Sequence, residues 1–319
     1  MGVKKIVLGF TDDFKLSKTM LETISKTYRD QILFLKTDGE NFEQLKDADA
    51  FIGWPSDQMI QAMPELKWLQ LPSAGANQFA HHPLLKEQVI VTNASGAFGA
   101  SGAEHILALI LSFARQLPLY VRQTEKHVWR EESDVRQLDE STVGIIGLGD
   151  IGSEAAIRLK AFGSTVLAVK RTVSNKPDYV DDVYDMEGLD TVLQESDFIV
   201  NVLPLTAETS GLFDRKRFSL IKKGAIFINV GRGGTVDEQA LLEALNSGRI
   251  GGAGLDVTSI EPLPETSELW RFPNVVITSH SLGVGSGKLK KREELIQRNI
   301  ENYLLGKPLI NVVNRKLGY

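Results

Sequence analysis

The chain has 319 residues, of which 42% are hydrophobic and 24% charged, with a formal net charge of −5 and no cysteine. This length exceeds the size at which one hydrophobic core stops growing, so we expect two domains. The composition excludes a disordered or fibrous protein, and the lack of cysteine excludes a disulfide framework, a zinc–thiolate site and a cysteine nucleophile. The negative charge and the lack of a long Lys/Arg run argue against a nucleic-acid partner.

The amino terminus carries only a short apolar run, from Ile6 to Phe10, which Thr11 and Asp12 interrupt. Such a run is too short for the core of a signal peptide or for a membrane span. We therefore predict a cytoplasmic protein without a membrane partner.

The first hundred residues alternate short β-branched runs with helix-like stretches, a rhythm typical of βαβ units and a parallel sheet. The predicted strands are Lys5–Leu8, Ile32–Leu35, Ala50–Ile52, Trp68–Leu71 and Val89–Thr92. The next segment, Gly102–Leu119, is apolar on nearly every side. It is predicted to form one long helix, buried between domains or subunits.

A second alternating series predicts six more strands, which suit a complete doubly wound sheet. They are Thr142–Ile146, Thr165–Val169, Phe198–Val202, Ala225–Asn229, Ala253–Val257 and Val275–Thr278. Helical spacing from about residue 288 to Tyr303 predicts a last helix. The segment Leu309–Val313 is predicted to return as a strand or strap on the first domain. We predict two Rossmann-like, doubly wound parallel-sheet domains of the α/β class: residues 1–100 with 286–319, and residues 101–285.

A glycine-rich loop follows the strand Thr142–Ile146 and precedes a helix-like stretch. It consists of Gly147, Leu148, Gly149, Asp150, Ile151 and Gly152, which form a G-x-G-x-x-G pattern. Gly147 permits a tight turn, Gly149 lets a pyrophosphate approach the backbone, and Gly152 lets the helix pack closely. A chance glycine turn is the alternative, but the strands on both sides of the loop favour dinucleotide binding.

Lys170, Arg171 and Thr172 follow the second strand of this unit, where an acidic residue would hold the ribose 2′-hydroxyl of NAD. Two adjacent cations suit the 2′-phosphate of NADP instead. We therefore predict NADP(H) as the preferred cofactor, with NAD(H) possible. The alternative is that both cations are solvated surface charges.

Arg232, Glu261 and His280 each follow one of the last three predicted strands. Ligands of open α/β sheets bind at the carboxyl ends of strands, so we expect these side chains to meet in one crevice. An imidazole can protonate the alkoxide that forms when a 2-oxo acid is reduced, and a guanidinium can polarise its carbonyl group. The alternative is a surface salt-bridge group without a catalytic role.

Taken in this order, the motifs resemble the D-isomer-specific 2-hydroxyacid dehydrogenases, most closely the glyoxylate/hydroxypyruvate reductases. Further marks of the resemblance are Ala103–His105, Asn201–Thr206 with Thr209, Gly254–Val257 and Ile277–His280. The resemblance implies D-specific hydride transfer between NADP(H) and C2 of a small 2-oxo or 2-hydroxy acid, such as glyoxylate or hydroxypyruvate. It also implies a homodimer, and a cleft between a flavodoxin-like substrate domain, residues 1–100 with 286–319, and a dinucleotide-binding domain, residues 101–285.

The resemblance also implies roles for single residues. Arg232 binds the substrate's carboxylate and carbonyl, His280 is the acid and base, and Glu261 pairs with His280. The other substrate contacts are Trp54, Ser73, Ala74 and Gly75. The cofactor residues beyond the glycine loop and the 170–172 cluster are Leu203, Pro204, Thr209, Val230, Gly231, Arg232, Asp256, His280 and Gly283.

Some features depart from this pattern or have plainer interpretations. Ser279 stands where the family usually has proline, so the loop at His280 is expected to differ slightly. His105 is interpreted as a structural residue, and no partner cluster accompanies His81 and His82, so no metal site is predicted. Two alternatives stay open: a non-catalytic NAD(P)-sensing interaction protein on the same fold, and an NAD-dependent D-2-hydroxyacid dehydrogenase.

Overall fold

The computed structural model describes residues 3–12, 14–29, 31–37, 42–173 and 175–319, except for the side chains of residues 286–289. The chain separates into two compact units: unit 1 comprises Met1–Phe98 with Gly285–Tyr319, and unit 2 comprises Gly99–Val284. Each unit contains one parallel sheet with helices packed on it. The predicted pair of parallel-sheet α/β domains is therefore confirmed.

The chain begins in unit 1 with five strands and three helices. They are β1 (Lys4–Gly9), α1 (Lys18–Thr27), β2 (Ile32–Thr37), β3 (Ala50–Ile52), α2 (Asp57–Ala62), β4 (Trp68–Gln70), α3 (Asn77–Ala80) and β5 (Ile90–Thr92). The strand order is β2-β1-β3-β4-β5, the order of flavodoxin-like sheets. Ile6 and Leu8 of β1 pack into one core and Val7 into another, so apolar layers cover both faces of the sheet.

Unit 2 holds the next seven strands and six helices. They are α4 (Gly99–Ala114), α5 (Leu117–Glu125), β6 (Thr142–Ile146), α6 (Asp150–Ala161), β7 (Thr165–Val169), β8 (Asp182–Tyr184), α7 (Leu189–Glu195), β9 (Phe198–Asn201), α8 (Arg215–Leu220), β10 (Ile226–Asn229), α9 (Glu238–Asn246), β11 (Gly252–Leu255) and β12 (Val275–Ile277). Their order is β12-β11-β10-β9-β6-β7-β8. Because the winding direction reverses between β6 and β9, a crevice for ligands opens at the carboxyl ends of these two strands.

The sheet of unit 2 is also covered on both faces. Ile145 packs into one core and Ile146 into the other, and Ile228 and Phe227 alternate in the same way. Period-two alternation between two apolar layers explains why these strands appear in the sequence as almost continuous apolar runs.

The chain returns to unit 1 through α10 (Ser286–Leu304). After this helix, Val312 forms an antiparallel bridge with Thr92 of β5, so the predicted strap on the first sheet is present as a single bridge. Val313 N donates to Val91 O over 2.8 Å, which fixes the register of the strap.

Two elements differ from the sequence-based expectation. The predicted long helix Gly102–Leu119 is two helices, because Gln116 adopts φ 55° between α4 and α5 and Pro118 stands in the first turn of α5. Proline lacks the N–H that a helix interior needs but fits a helix start. The second sheet also has a seventh strand, β8, which was missed because it is a short edge strand with a charged first residue.

The length and polarity of the helices determine whether any of them could cross a membrane. The longest helix of the described chain, α10, has 19 residues and many charged side chains. The more apolar α4 has 16 residues, fewer than the roughly 20 that a span requires. Within the described ranges, no helix is therefore both long enough and apolar enough to cross a bilayer.

Candidate active site

The glycine loop joins β6 to α6 with the geometry that a dinucleotide needs. Gly147 has φ 110°, and its N–H donates to Val169 O at the end of β7 over 2.9 Å. A Cβ on Gly152 would overlap Gly147 O, so any larger residue would force the helix start away from the turn. A Cβ on Gly149 would meet no atom within 4 Å, which leaves open space before the N-terminus of α6. A pyrophosphate fits such a position, where N–H groups and the helix dipole favour an anion.

The other three loop residues pack against neighbouring elements. Leu148 is buried, whereas Asp150 and Ile151 are partly buried. A Cβ on Gly99 would lie 2.6 Å from Asp150 Oδ1, and one on Gly102 would lie 2.8 Å from Ile151 Cγ2. The side chains of Asp150 and Ile151 thus face α4, and the backbone is the part of the loop that can face a cofactor.

The cationic segment at the end of β7 lies beside this loop. Val169 pairs with Ile146, the last residue of β6, so Lys170 and Arg171 follow at the same edge of the sheet. Lys170, Arg171 and Thr172 are all exposed. Exposed cations at this position can reach a phosphate on the ribose of a nucleotide bound at the glycine loop.

The remaining residues predicted to contact a cofactor lie on three loops of unit 2. They are Leu203, Pro204 and Thr209 after β9, Val230 and Gly231 after β10, and Gly283 after β12. Thr209 Oγ1 donates to Pro204 O over 2.6 Å. A Cβ on Gly231 would lie 2.5 Å from Leu203 O, so the loops after β9 and β10 touch through their backbones.

A buried polar network beneath these loops fixes the backbone of Arg232. Asn201 Nδ2 donates to Asn229 Oδ1 over 2.9 Å and to Thr235 Oγ1 over 2.7 Å. Thr235 Oγ1 in turn donates to Arg232 O over 2.6 Å. The sequence marked Asn201 only as the start of a family motif and Asn229 as the end of a predicted strand. The sequence feature that indicates this structural role is that two adjacent buried strands each end in an asparagine.

The guanidinium of Arg232 is partly buried and remains a cation. Its Nη1 donates to Gly231 O over 2.7 Å. Burial lowers the pKa of Arg232 from its ordinary value, and the charge of Glu261 opposes this shift. A Cβ on Gly233 would overlap Thr258 O, so the Arg232 loop packs directly against the loop that carries Glu261.

Glu261 and His280 form a hydrogen-bonded pair on the loops that follow two adjacent strands. Nδ1 of His280 lies 2.7 Å from Oε2 of Glu261, and Oε1 of Glu261 accepts from Thr258 N over 3.1 Å. Because a carboxylate only accepts, Nδ1 carries the shared proton and Nε2 is the nitrogen that can exchange a proton with a ligand. The side chains of His280 and Glu261 are 50% and 38% exposed, so a ligand can reach them.

The backbone of His280 adopts the left-handed region, with φ 49°. Its N–H donates to Asp256 O over 2.9 Å and to Thr278 O over 2.8 Å. The Asp256 carboxylate accepts from Ser281 N over 2.8 Å and from Leu282 N over 3.2 Å. A strained conformation of this kind persists only where surrounding contacts hold it. The predicted cofactor residue Asp256 is buried and organises the loop that presents His280.

The residues predicted to contact substrate in unit 1 also form a local group. Trp54 Nε1 donates to Ser73 Oγ over 3.3 Å, and Ser73 Oγ donates to Gly75 O over 2.8 Å. Asn93 Nδ2 donates to Ala74 O over 2.7 Å. These residues follow β3, β4 and β5, at the carboxyl edge of the first sheet, where α/β proteins bind ligands.

Unit 2 therefore gathers three chemical capacities at one edge of its sheet. The glycine loop and its helix can hold a nucleotide pyrophosphate. The Arg232 guanidinium can bind an anionic ligand and polarise a carbonyl group, and the His280–Glu261 pair can donate or accept a proton. Among the described residues, no group of three His, Cys, Asp or Glu side chains could hold a metal ion.

The family model described as "D-isomer specific 2-hydroxyacid dehydrogenase, NAD binding domain" matches residues 107–281. The glyoxylate reductase of Thermococcus litoralis is 33% identical over 297 residues, which cover 87% of each protein. The chain spans about half the length of the D-3-phosphoglycerate dehydrogenases that it matches. For the enzyme of Archaeoglobus fulgidus the match covers 49% of that protein, with 34% identity over 258 residues.

Solved structures extend the similarity to the whole chain. A D-isomer specific 2-hydroxyacid dehydrogenase from Xanthobacter autotrophicus Py2, in complex with NADPH and MES, superposes with a TM-score of 0.85 at 29% identity; the match covers 99% of this chain and 100% of that one. An NADPH-dependent glyoxylate/hydroxypyruvate reductase from Sinorhizobium meliloti, in complex with NADP and sulfate, gives a TM-score of 0.84, with the same identity and coverage.

Proposed function

Because the chain belongs to the D-isomer specific 2-hydroxyacid dehydrogenase family, we propose that it transfers a hydride from NADPH to C2 of a small 2-oxo acid, yielding the 2-hydroxy acid, in the D-configuration wherever C2 becomes chiral. Glyoxylate and hydroxypyruvate are the substrates that we propose first, since relatives of similar length carry these activities in their names. The family assigns oxidoreductase chemistry on a CH–OH group, and the choice of substrate and cofactor is our proposal.

The proposed reaction gives each catalytic side chain one task. Bound NADPH supplies the hydride that adds to C2. His280 donates a proton to the carbonyl oxygen as that oxygen becomes a hydroxyl, and it recovers the proton from solvent through its exposed ring. Arg232 binds the carboxylate and draws electron density from the carbonyl group, while Glu261 stabilises the charged imidazole.

The observation that carries this proposal is the hydrogen bond between Nδ1 of His280 and Oε2 of Glu261, 2.7 Å long, beside the Arg232 loop. A sensor that only binds nucleotide has no need of an oriented imidazole. Oriented acid–carboxylate pairs of this kind are a recurring arrangement in proton transfer.

We test the reaction with purified protein and a panel of 2-oxo acids that includes glyoxylate, hydroxypyruvate and pyruvate. The expected result is loss of the near-ultraviolet absorbance of NADPH, with formation of the D-hydroxy acid from hydroxypyruvate or pyruvate and of achiral glycolate from glyoxylate. Tight NADPH binding without turnover of any 2-oxo acid would favour the sensor function instead.

The preference for NADP(H) is proposed from the exposed cations Lys170 and Arg171. Similar structures from two organisms were solved with NADPH or NADP, which supports the same choice. In the double variant Lys170→Asp with Arg171→Ala, we expect the ratio of kcat/KM with NADPH to that with NADH to fall by about tenfold to a hundredfold, since a carboxylate repels the 2′-phosphate. The matched control is Lys223→Asp, an exposed lysine before the amino end of β10. An unchanged ratio in the double variant would show that these cations do not bind the phosphate.

We propose a homodimer formed through the exposed apolar side chains of α5 and the segment that follows it. Leu117 is 49% exposed, Val121 58% and Trp129 fully exposed. Large apolar side chains that are exposed along one short stretch of chain are typical of an interaction surface. The double variant Val121→Glu with Trp129→Ser is expected to be monomeric by light scattering if wild type is dimeric. A monomeric wild type would refute the proposal.

A further inference from the structure

A side-chain cluster next to the His280 loop joins α4 to the ends of β11 and β12. His105, in the second turn of α4, places Nε2 3.0 Å from Thr278 Oγ1 and 3.4 Å from Asp256 Oδ1. Thr278 Oγ1 donates to Asp256 Oδ1 over 2.6 Å. The side chains of His105 and Thr278 therefore meet at the carboxylate of Asp256, and the proposed function assigns no task to His105 or Thr278.

The direction of the hydrogen bonds follows from the donors available. The carboxylate of Asp256 only accepts, so the single hydroxyl proton of Thr278 points to Asp256. The hydroxyl oxygen must then accept from His105, and Nε2 of His105 carries a proton. The cluster is a chain from imidazole to hydroxyl to carboxylate.

The same carboxylate holds the two residues that follow His280. It accepts from Ser281 N and Leu282 N, while Asp256 O accepts from His280 N. The Asp256 side chain is only 1% exposed, so protein groups rather than water must satisfy its oxygens. The side chain of Asp256 thus sets the position of two consecutive backbone N–H groups, and its backbone carbonyl sets that of a third, His280 N.

The helix that carries His105 packs closely against the adjacent loops. A Cβ on Gly102 would lie 2.8 Å from Ile151 Cγ2 and 3.2 Å from Leu282 Cδ2. Small residues at the start of α4 thus allow the helix to approach both the glycine loop and the His280 loop. His105 is presented to Thr278 and Asp256 from a closely packed element.

We propose that His105 is a positioning residue for His280. By donating to Thr278, which in turn donates to Asp256, His105 fixes the carboxylate that holds the amides of residues 281 and 282, and so keeps His280 in its left-handed backbone conformation. This inference rests on the proposed function, in which His280 is the proton donor. His105 itself does not touch the reacting atoms.

The kinetic test compares His105→Leu with the conservative variant His105→Gln, whose amide keeps a donor. For His105→Leu with NADPH and hydroxypyruvate, we expect kcat to fall by about tenfold while KM changes by less than about twofold, because misplacing an acid slows the chemical step. His105→Gln should recover most of the loss. The control on the same helix is Ser112→Ala, which removes only a local bond to Leu109 O. Wild-type kcat in His105→Leu would overturn the proposal.

A second measurement separates positioning from general destabilisation. In the background of His280→Ala, His105→Leu should change the residual turnover by less than about twofold, since no imidazole remains to be positioned. The same tenfold loss in both backgrounds would overturn the proposal. Thr278→Val should reproduce the tenfold loss of kcat, and Thr278→Ser should not. These two variants test the proposal even if His105→Leu does not fold.

An NMR readout distinguishes failure of this inference from failure of the proposed function. The amide signals of Ser281 and Leu282 should shift in His105→Leu and stay near their wild-type positions in Ser112→Ala. If wild type reduces no 2-oxo acid but these amides shift, the proposed function fails while the contact chain stands. If the protein is active and neither amide shifts, the positioning role is refuted.

Discussion

Each unit contains a buried polar network at its sheet, and the two networks differ in what they hold. In unit 1, the fully buried Asn299 of α10 donates from Nδ2 to Gln70 Oε1 over 2.8 Å and to Ile310 O over 3.0 Å. Its Oδ1 accepts from Ile310 N over 2.7 Å. In unit 2, the buried carboxylate of Asp256 accepts from Thr278 and from the amides that follow His280.

The comparison shows how similar hydrogen bonding can serve stability or function. The Asn299 network is built from neutral groups and ties the carboxyl-terminal strap to a helix and a sheet. The Asp256 network contains a buried charge, and it holds a half-exposed imidazole in a strained backbone conformation. Breaking the Asn299 network should lower stability and leave activity unchanged. Replacing His280, which the Asp256 network holds in place, should lower activity and leave stability unchanged.

The largest expected effect is on His280. His280→Ala should lower kcat by about two to four decades, equivalent to about 3–5 kcal/mol of activation free energy, because it removes the proton donor. Thermal stability should stay close to that of wild type, since half of the side chain is exposed. The matched control is His127→Ala, an exposed histidine whose backbone also has positive φ, 54°. Near wild-type turnover of His280→Ala would remove this residue from the mechanism.

The next largest effect is expected on stability when Asn299 is replaced. Asn299→Leu should lower the free energy of unfolding by about 2–3 kcal/mol, because it leaves the N–H and C=O of Ile310 without their partner. Chemical denaturation monitored by circular dichroism measures the change, and kcat should stay within about twofold of wild type. Asn302→Leu, one turn further along α10 at a more exposed position, is the control. Equal losses for both variants would show that burial of the network is irrelevant.

A smaller effect is expected at Glu261. Glu261→Gln keeps the size of the side chain but removes the charge that stabilises the imidazolium, so kcat should fall by about tenfold, or about 1.4 kcal/mol. Steady-state kinetics with hydroxypyruvate measure this, with Glu265→Gln as an exposed control nearby. An unchanged kcat would contradict the role given to the pair.

The smallest effect concerns acid stability in unit 1. Burial alone would raise the pKa of Asp49, but hydrogen bonds from Lys5 N and from the Lys67 and Lys4 ammonium groups lower the pKa overall. Because the pKa of Asp49 is lower in the folded protein than in the unfolded chain, the carboxylate stabilises the fold at pH values above its ordinary pKa. This stabilisation is lost as the pH falls, here from about pH 5 to about pH 3. Wild type should lose slightly more stability across this range than Asp49→Asn, by less than about 1 kcal/mol. Parallel losses would exclude a contribution from Asp49.

Apart from β8, the strands of both sheets could be predicted because they are apolar runs buried in the cores. The strand Ile226–Asn229 lies within the predicted run Ala225–Asn229, for example. The break between α4 and α5 was also present in the sequence as Pro118, but the apolar residues on both sides outweighed it. The short edge strand β8 could not be predicted, because its three residues carry no periodic signal.

The candidate site was predictable where its residues directly follow strands and less so where contacts cross the sequence. Glu261 and His280 follow adjacent strands, and the structure brings Nδ1 and Oε2 within 2.7 Å. His105 and Thr278 are 173 residues apart, so their contact left no trace in local spacing, and His105 was interpreted as structural. The buried Asn201–Asn229–Thr235 network was missed for the same reason.

Isotope tracing measures the proposed hydride transfer itself. NADPH that carries deuterium as its transferable hydrogen at C4 is mixed with hydroxypyruvate and the purified protein, and the product is examined by mass spectrometry and chiral chromatography. The expected product is D-glycerate with one deuterium at C2, formed far more slowly by His280→Ala. Unlabelled glycerate, the L-isomer, or no product from any 2-oxo acid would contradict the proposed function.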